Sequence, residues 1–222
     1  MAKDISKEIY PENIDADCRV LLKVLEDDFG LKLYNASTST LAKSNLNKTI
    51  LSRFLDLVRY LRNKDEHLCK YVCSRLNSWW TEFLVAPAAS SHHHNYASGL
   101  IEHTVQVAEI CKETCITMGY YEGHRARLVA AALLHDLGKV YEYDIDKDGK
   151  AYRTTSLVKH IEYGYYTALE DGYRDIAEMI ATHHGKLEWG CLREPNDEYE
   201  WALHFADMIS SQCYNRCEEA GN

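Results

Sequence analysis

The hydrophobic positions along the chain recur with the three- to four-residue period of amphipathic helices. In the N-terminal part this period predicts three helices, over residues 14–29, 50–61 and 68–83, and Gly30 ends the first of them. The stretch 34–47 is rich in Ser, Thr and Asn and predicts a connection. Pro87 and the polar residues after it end this portion. We therefore expect residues 1–88 to form an N-terminal helical extension.

After Gly99 the pattern again predicts helices, now interrupted by one short β-hairpin. Apolar positions indicate helices from residue 99 to about 110 and over 125–137, 157–169, 175–184 and 200–217. Residues 140–155 alternate in the way that strands do, and Asp148-Gly149 provides the turn. The chain is thus predicted to be mostly α-helical, with a second unit over residues 89–222.

Several polar side chains interrupt helices that are otherwise apolar. The pair His135-Asp136 closes the apolar stretch 128–134, and burying such groups is costly unless each finds a partner. Adjacent helical residues point about 100° apart, so the two do not satisfy each other. Five more residues of this kind occur: His103, His160, His183, His184 and Asp207. Each alone is most simply a core or surface residue, but one metal site would explain all seven.

Composition and charge narrow the classes of function. Hydrophobic residues make up 46% and charged residues 27%, as in ordinary globular proteins, and the formal net charge is −9. This acidic charge opposes tight binding of duplex nucleic acid but permits a small phosphorylated substrate beside a metal ion. The chain has no apolar run of membrane-spanning length and starts without a secretory signal. We expect a soluble, cytoplasmic protein with no membrane partner; homo-oligomerisation is left open.

The cysteines do not form a recognisable metal site. Six of the eight are spaced i,i+4 within predicted helices, and the chain has no CxxC knuckle. A disulfide at this spacing within a helix is geometrically awkward. We interpret them as small buried thiols of a reducing compartment, with a redox or auxiliary metal role as the alternative.

The order His103, His135-Asp136, Asp207 resembles that of the HD superfamily of metal-dependent phosphohydrolases. The segments around these residues are most similar to the HD domain of YhaM-type 3′-to-5′ exoribonucleases. The similar segments are HHNY at 93–96, GLIEHT at 99–104, AALLHDLGK at 131–139, THHGKLEWG at 182–190, Pro195 and LHFAD at 203–207. The resemblance covers about residues 90–215, and the agreement of several motifs in one order makes it specific.

The resemblance implies a role for each matching residue. His103, His135, Asp136 and Asp207 would hold one divalent ion, and His160, His183 and His184 would hold a second, with Asp136 bridging the two. Imidazole and carboxylate ligands without thiolate suit Mn, Fe, Co, Ni or Mg. Asp136 and Lys139 are the candidate catalytic residues, with Lys139 either contacting a phosphate or bracing Asp136. His94, Lys139 and Arg193 are candidate substrate contacts.

The expected activity is hydrolysis of nucleotides, or of the 3′ ends of short oligonucleotides, by a metal-activated water. Processive RNA degradation is not expected, because residues 1–85 show no strand series for the β-barrel that precedes the HD region in those exoribonucleases. A cyclic-di-GMP phosphodiesterase is disfavoured, because no GYP segment follows His183-His184. Two alternatives stay open: a catalytically silent HD module that binds a nucleotide, and an interaction subunit of a nucleic-acid-processing assembly that uses the Trp79-Trp80 region.

Overall fold

The computed structural model describes residues 10–33 and 38–213, and within them the chain is mostly helical. The N-terminal helices are α1 (Ala16–Phe29), α2 (Thr38–Leu41), α3 (Lys48–Lys64), α4 (Glu66–Asn77) and α5 (Trp80–Val85). The later helices are α6 (Gly99–Thr117), α7 (Glu122–Leu134), α8 (Lys139–Glu142), α9 (His160–Glu170), α10 (Arg174–Thr182) and α11 (Glu198–Cys213). A 3₁₀ turn spans Leu187–Trp189, and strands β1 (Tyr143–Ile145) and β2 (Ala151–Arg153) form an antiparallel hairpin. The predicted mostly α-helical class is confirmed.

Helix α7 is the centre of the fold. Its residues 128–134 are all buried, so this part of the helix is apolar on every side and must be covered all round. Helices α6, α10 and α11 of the C-terminal part pack on it, and so do α3 and α4 of the N-terminal part. Three consecutive alanines, at 130–132, let these neighbours approach closely. Because α7 is held on every side, the His135-Asp136 pair at its end has a fixed position.

Local sequence explains where three of the N-terminal helices begin and where the first of them ends. The Asp15 carboxylate accepts a hydrogen bond from the Cys18 amide at the start of α1, and Gly30 closes that helix with a φ of 72°. Asn47 and Asp65 cap α3 and α4 in the same manner as Asp15 caps α1. The predicted final helix, 200–217, is observed to begin earlier, at Glu198; residues 214–217 lie outside the described residues.

Three predictions of local structure were wrong. The single helix predicted over 68–83 is two helices, because the backbone leaves the helical region at Trp79. This break lets the Trp79 indole donate a hydrogen bond to the Tyr163 hydroxyl while Trp80 packs on Phe54 in the core. The start of the predicted hairpin, 140–142, lies in the short helix α8, and the predicted connection 34–47 contains α2.

The hairpin turn itself forms where the Asp148-Gly149 sequence predicts it. Gly149 has a φ of 80°, and the Asp146 carboxylate accepts hydrogen bonds from the amides of Asp148 and Lys150. The register pairs Tyr143 with Arg153. The Asp146 carboxylate therefore organises the turn.

The two predicted units share one hydrophobic core. A continuous cluster of buried side chains extends from Ile14 in the N-terminal part to Ala206 in α11. The boundary between residues 88 and 89 therefore stays a prediction. Six described cysteines are buried, as predicted for small core thiols, and Cys213 is exposed. No helix in the described residues is long and apolar enough to cross a membrane.

Candidate metal centre

The seven residues predicted as metal ligands converge on the C-terminal end of α7. His103 comes from α6, the His135-Asp136 pair follows α7, His160 begins α9, His183 and His184 follow α10, and Asp207 lies on α11. Their candidate ligand atoms form two groups within which all atoms lie within 4.8 Å of one another. One group is His103, His135 and Asp207, and the other is Asp136, His160, His183 and His184.

Asp136 lies between the two groups and presents one carboxylate oxygen to each. Its Oδ2 is 3.2 Å from Nε2 of His103 and 3.3 Å from Nε2 of His135. Its Oδ1 is 3.5 Å from Nε2 of His160 and 3.6 Å from Nε2 of His183. The carboxylate is 1% exposed, so water does not satisfy it. This is the geometry that a carboxylate bridging two ions requires.

Each of the five candidate-ligand histidines is oriented by a hydrogen bond at Nδ1, the ring nitrogen that does not face the Asp136 and Asp207 carboxylates. The Nδ1 atoms of His135, His183 and His184 each lie 2.7 Å from a backbone carbonyl oxygen, that of Ala132, Ile180 and Trp189 respectively. Since a carbonyl only accepts, each Nδ1 carries the proton, and each Nε2 is left with a free lone pair.

The remaining two histidines are held by side chains. His160 Nδ1 lies 2.7 Å from Oε1 of Glu142, and His103 Nδ1 lies 2.9 Å from the Ser210 hydroxyl. That hydroxyl donates to Oε1 of Gln106, so it accepts from His103. All five Nε2 atoms therefore point into the cluster, and Nε2 is the atom through which each imidazole could bind a metal ion.

Charge in the cluster matches a cation. Burial opposes ionisation of Asp136 and Asp207, but the Lys139 ammonium beside the first and the His103 imidazole beside the second hold the pKa of both carboxyls well below its usual range. Burial lowers the pKa of His135 and His160, and lowers that of His184 to about 3, so these rings are neutral near pH 7. Burial opposes charge on His103, but its contacts with Asp136 and Asp207 raise the pKa of that ring. The cluster thus combines neutral imidazoles at His135, His160 and His184 with ionised carboxylates.

The donor set fits divalent ions. Among the described residues, Oδ1 of Asp136 and Nε2 of His183 are buried without a hydrogen-bond partner. Such groups cost free energy unless something satisfies them, and a cation between them would do so. No cysteine belongs to either group, which agrees with the hard and intermediate metals expected from the sequence.

Comparison with known families agrees with this geometry. The family model described as HD domain matches residues 100–211. The chain belongs to the HD domain family. Members of this family are generally metal-dependent hydrolases. No solved structure was found to match the chain. The narrower similarity to YhaM-type exoribonucleases stays a prediction.

Two of the three candidate substrate contacts lie at the metal centre of this HD domain. Lys139 is 7% exposed, and its Nζ is 2.6 Å from Oδ2 of Asp136, so the lysine braces that carboxylate. His94 is buried beside His93, with 3.1 Å between their Nδ1 atoms, and the ring centroid of His94 is 5.3 Å from that of His103. His94 has a φ of 50°, a strained value that marks this segment as held in place.

The third candidate, Arg193, has a different environment. Its guanidinium is paired with the carboxylates of Glu178 and Glu200, with Nη2 2.8 Å from Oε2 of Glu178. It lines a cavity that also contains Arg127 and Tyr199 but none of the metal-ligand candidates. Its role in substrate binding stays a prediction.

Four residues of the HD domain site were missed in the sequence: His93, Gln106, Glu142 and Ser210. Gln106 and Ser210 each lie three residues after a predicted ligand on the same helix, so helical spacing could have found them. His93 groups with His94 and His103, and its neighbour His94 was already a candidate. Glu142 had no such indication, because it reaches His160 across the hairpin.

We expect Glu142→Ala to weaken metal binding at His160 without removing any ligand. The imidazole would lose the acceptor that fixes its orientation, and loss of such an outer partner typically costs 10–100-fold in metal affinity. Glu142→Gln keeps an acceptor oxygen and should bind nearly as tightly as the natural protein. Calorimetric titration with Mn²⁺ measures both, and equal affinities for the two variants would contradict the orienting role.

Proposed function

We propose that this HD domain is a divalent-metal-dependent phosphohydrolase that cleaves phosphate mono- or diesters of nucleotides or short oligonucleotides. The observation that carries the proposal is the Asp136 carboxylate, which presents Oδ2 to one ligand group and Oδ1 to the other. We infer that Asp136 bridges two ions, held by His103, His135 and Asp207 on one side and by His160, His183 and His184 on the other.

The ligand histidines and Lys139 would have different roles in the reaction. When bound, paired divalent ions activate a water molecule and neutralise charge on phosphoryl oxygens. The fixed Nδ1 hydrogen bonds hold the five imidazoles so that no reorientation is needed during the reaction. Lys139 keeps Asp136 ionised and adds a positive charge beside the site. With both ions in place the site would be strongly positive, which favours an anionic phosphate ester.

The first alternative, a silent nucleotide-binding module, is less well supported than hydrolysis. Such a module has no need of a complete ligand set with each imidazole oriented from behind. The interaction subunit is also disfavoured, because Trp80 is 1% exposed and Trp79 is half-buried and hydrogen-bonded to Tyr163. The Trp79 and Trp80 side chains therefore pack within the fold and do not form a surface for a partner.

Removal of metal should lower both stability and activity. An ion that binds only the folded chain stabilises it by about 2.7 kcal/mol when present at 100 times its Kd. We therefore expect EDTA treatment to lower the melting temperature and Mn²⁺ to restore it. The same samples should be screened for hydrolysis of mononucleotides, cyclic nucleotides and short RNA and DNA. Absence of bound metal by elemental analysis, together with absence of hydrolysis, would favour the silent module.

A further inference from the structure

A run of aromatic rings, exposed except for the 7% exposed His204, starts beside the metal centre and continues along α11. It consists of Trp189, His204, Trp201 and Phe205, and we call it the aromatic run. Ring centroids are 6.4 Å apart for Trp189 and His204, 5.7 Å for His204 and Trp201, and 5.4 Å for Trp201 and Phe205. The side chains of Trp189, Trp201 and Phe205 are 47%, 41% and 55% exposed.

The metal-ligand segment fixes the inner end of the aromatic run. The carbonyl of Trp189 accepts the hydrogen bond from Nδ1 of His184. His204 Nδ1 lies 2.9 Å from the carbonyl oxygen of His183, and the His204 ring packs directly on Gly185, where a Cβ atom would overlap it. Displacement of the Trp189 backbone or of the His204 ring would therefore disturb the segment that carries His183 and His184.

Cationic and acidic side chains both lie at this inner end. Trp189 lines a cavity together with His160 and His184 of the metal centre, and Lys159, Arg153, Glu142 and Glu162 line the same cavity. Arg153 pairs with Glu142 at 3.2 Å. The ammonium of Lys186 lies 4.7 Å from the centroid of the Trp189 ring and 3.7 Å from Oε1 of Glu188. A ligand bound here would meet the Trp189 ring together with these cationic groups. An oligonucleotide complements both features, because its planar bases stack on aromatic rings and its phosphates are anionic.

We propose that the aromatic run binds the bases of a short single-stranded oligonucleotide whose scissile phosphate lies at the metal centre. This inference rests on the proposed phosphohydrolase function and narrows its substrate class. Aromatic side chains bind unpaired bases by stacking, largely without regard to sequence. Since the run extends beyond Trp189 to Trp201 and Phe205, a strand with several unpaired bases should bind better than a mononucleotide. The acidic net charge of −9 limits the gain from a longer backbone.

Trp201→Ala tests the outer part of the run, which touches no metal-ligand candidate. The binding experiment uses EDTA-treated full-length protein and a fluorescein-labelled strand of three adenylates, beside the same strand with abasic sites. Loss of one stacked base should weaken binding of the adenylate strand roughly 5- to 150-fold. Binding of the abasic strand should stay unchanged, and Trp201→Phe should restore most of the affinity. Tyr166→Ala, which removes an exposed ring of α9 outside the run, serves as the matched control.

Three results would overturn the inference. One is equal binding of the adenylate strand by the natural protein and Trp201→Ala, and another is an equal loss for the abasic strand. The third is a dimer in sedimentation that Trp201→Ala dissociates without any change in strand binding, which would assign the run to a second copy of this chain. Because strand binding is measured without metal, a lack of hydrolysis in the Mn²⁺ assay would contradict the proposed function separately.

Discussion

Asp136→Ala is expected to lose bound divalent metal and hydrolysis together. Asp136 is the one candidate ligand in the described residues that faces both groups, so its removal takes a donor from each. The loss in metal affinity should exceed the 10–100-fold typical of an outer partner. The rate of hydrolysis should fall to that measured in buffer without protein, because the carboxylate that would hold the two ions next to each other is lost.

The same substitution also affects the charge balance of the core. Lys139 is buried and pairs with Asp136 at 2.6 Å, so an alanine at 136 leaves an ammonium without its partner. Breaking a buried ion pair in this way typically costs about 3–5 kcal/mol. Asp136→Asn keeps the size of the side chain and should fold more stably, while losing the charge that a bridge needs.

Elemental analysis and Mn²⁺-dependent hydrolysis measure these effects, with thermal unfolding to confirm that each variant folds. Asp148→Asn is the matched control, because it removes an exposed carboxylate at the hairpin turn. It should keep metal and activity. Retained Mn²⁺-dependent turnover in folded Asp136→Ala would contradict the assignment of the metal centre.

The metal centre was largely predictable because its residues violate the pattern around them. His103, His160 and Asp207 lie on helical faces that are otherwise apolar, and such exceptions point to a shared partner. The structure brings all seven of these side chains together, and their role as metal ligands stays a prediction. Which carboxylate oxygen faces which group is a matter of tertiary geometry, and spacing in the sequence does not encode it.

The features that sequence patterns missed depend on contacts between distant segments. The helical period continues through Trp79, but the hydrogen bond to Tyr163 and the packing of Trp80 break the helix there. Residues 140–142 were predicted as part of the hairpin, yet α8 forms and places Glu142 against His160. Local propensity is a weak prior that tertiary packing of this kind overrides.

Gly138 is a further case in which the backbone of one segment determines the position of a ligand on another. A Cβ atom at residue 138 would lie 2.5 Å from the Cα atom and 2.9 Å from the carbonyl oxygen of His160. The φ of Gly138 is −64°, so its backbone conformation suits any residue. The glycine is needed because α9 begins in direct contact with it. A side chain there would require a shift of the His160 backbone or of residue 138, and we expect this shift to change the spacing between His160 and Asp136.

We therefore expect Gly138→Ala to lose one of the two ions that we propose. His160 would move relative to Oδ1 of Asp136, whereas His103, His135 and Asp207 would keep their positions. Forcing a methyl group into such a packed contact typically costs about 1–3 kcal/mol of stability. Elemental analysis should find one ion per chain in place of two, with a lower melting temperature and hydrolysis reduced at least about tenfold.

Gly123→Ala is the control for a glycine of a helix without such a contact. Its added Cβ would meet only the Tyr121 side chain, at 3.3 Å, so α7 should tolerate it. Replacing a helical glycine by alanine typically gains about 0.5–1 kcal/mol, and metal content should not change. Two tightly bound ions in Gly138→Ala would show that α9 adjusts without moving His160, and would contradict the view that close packing at Gly138 sets the second group of ligands.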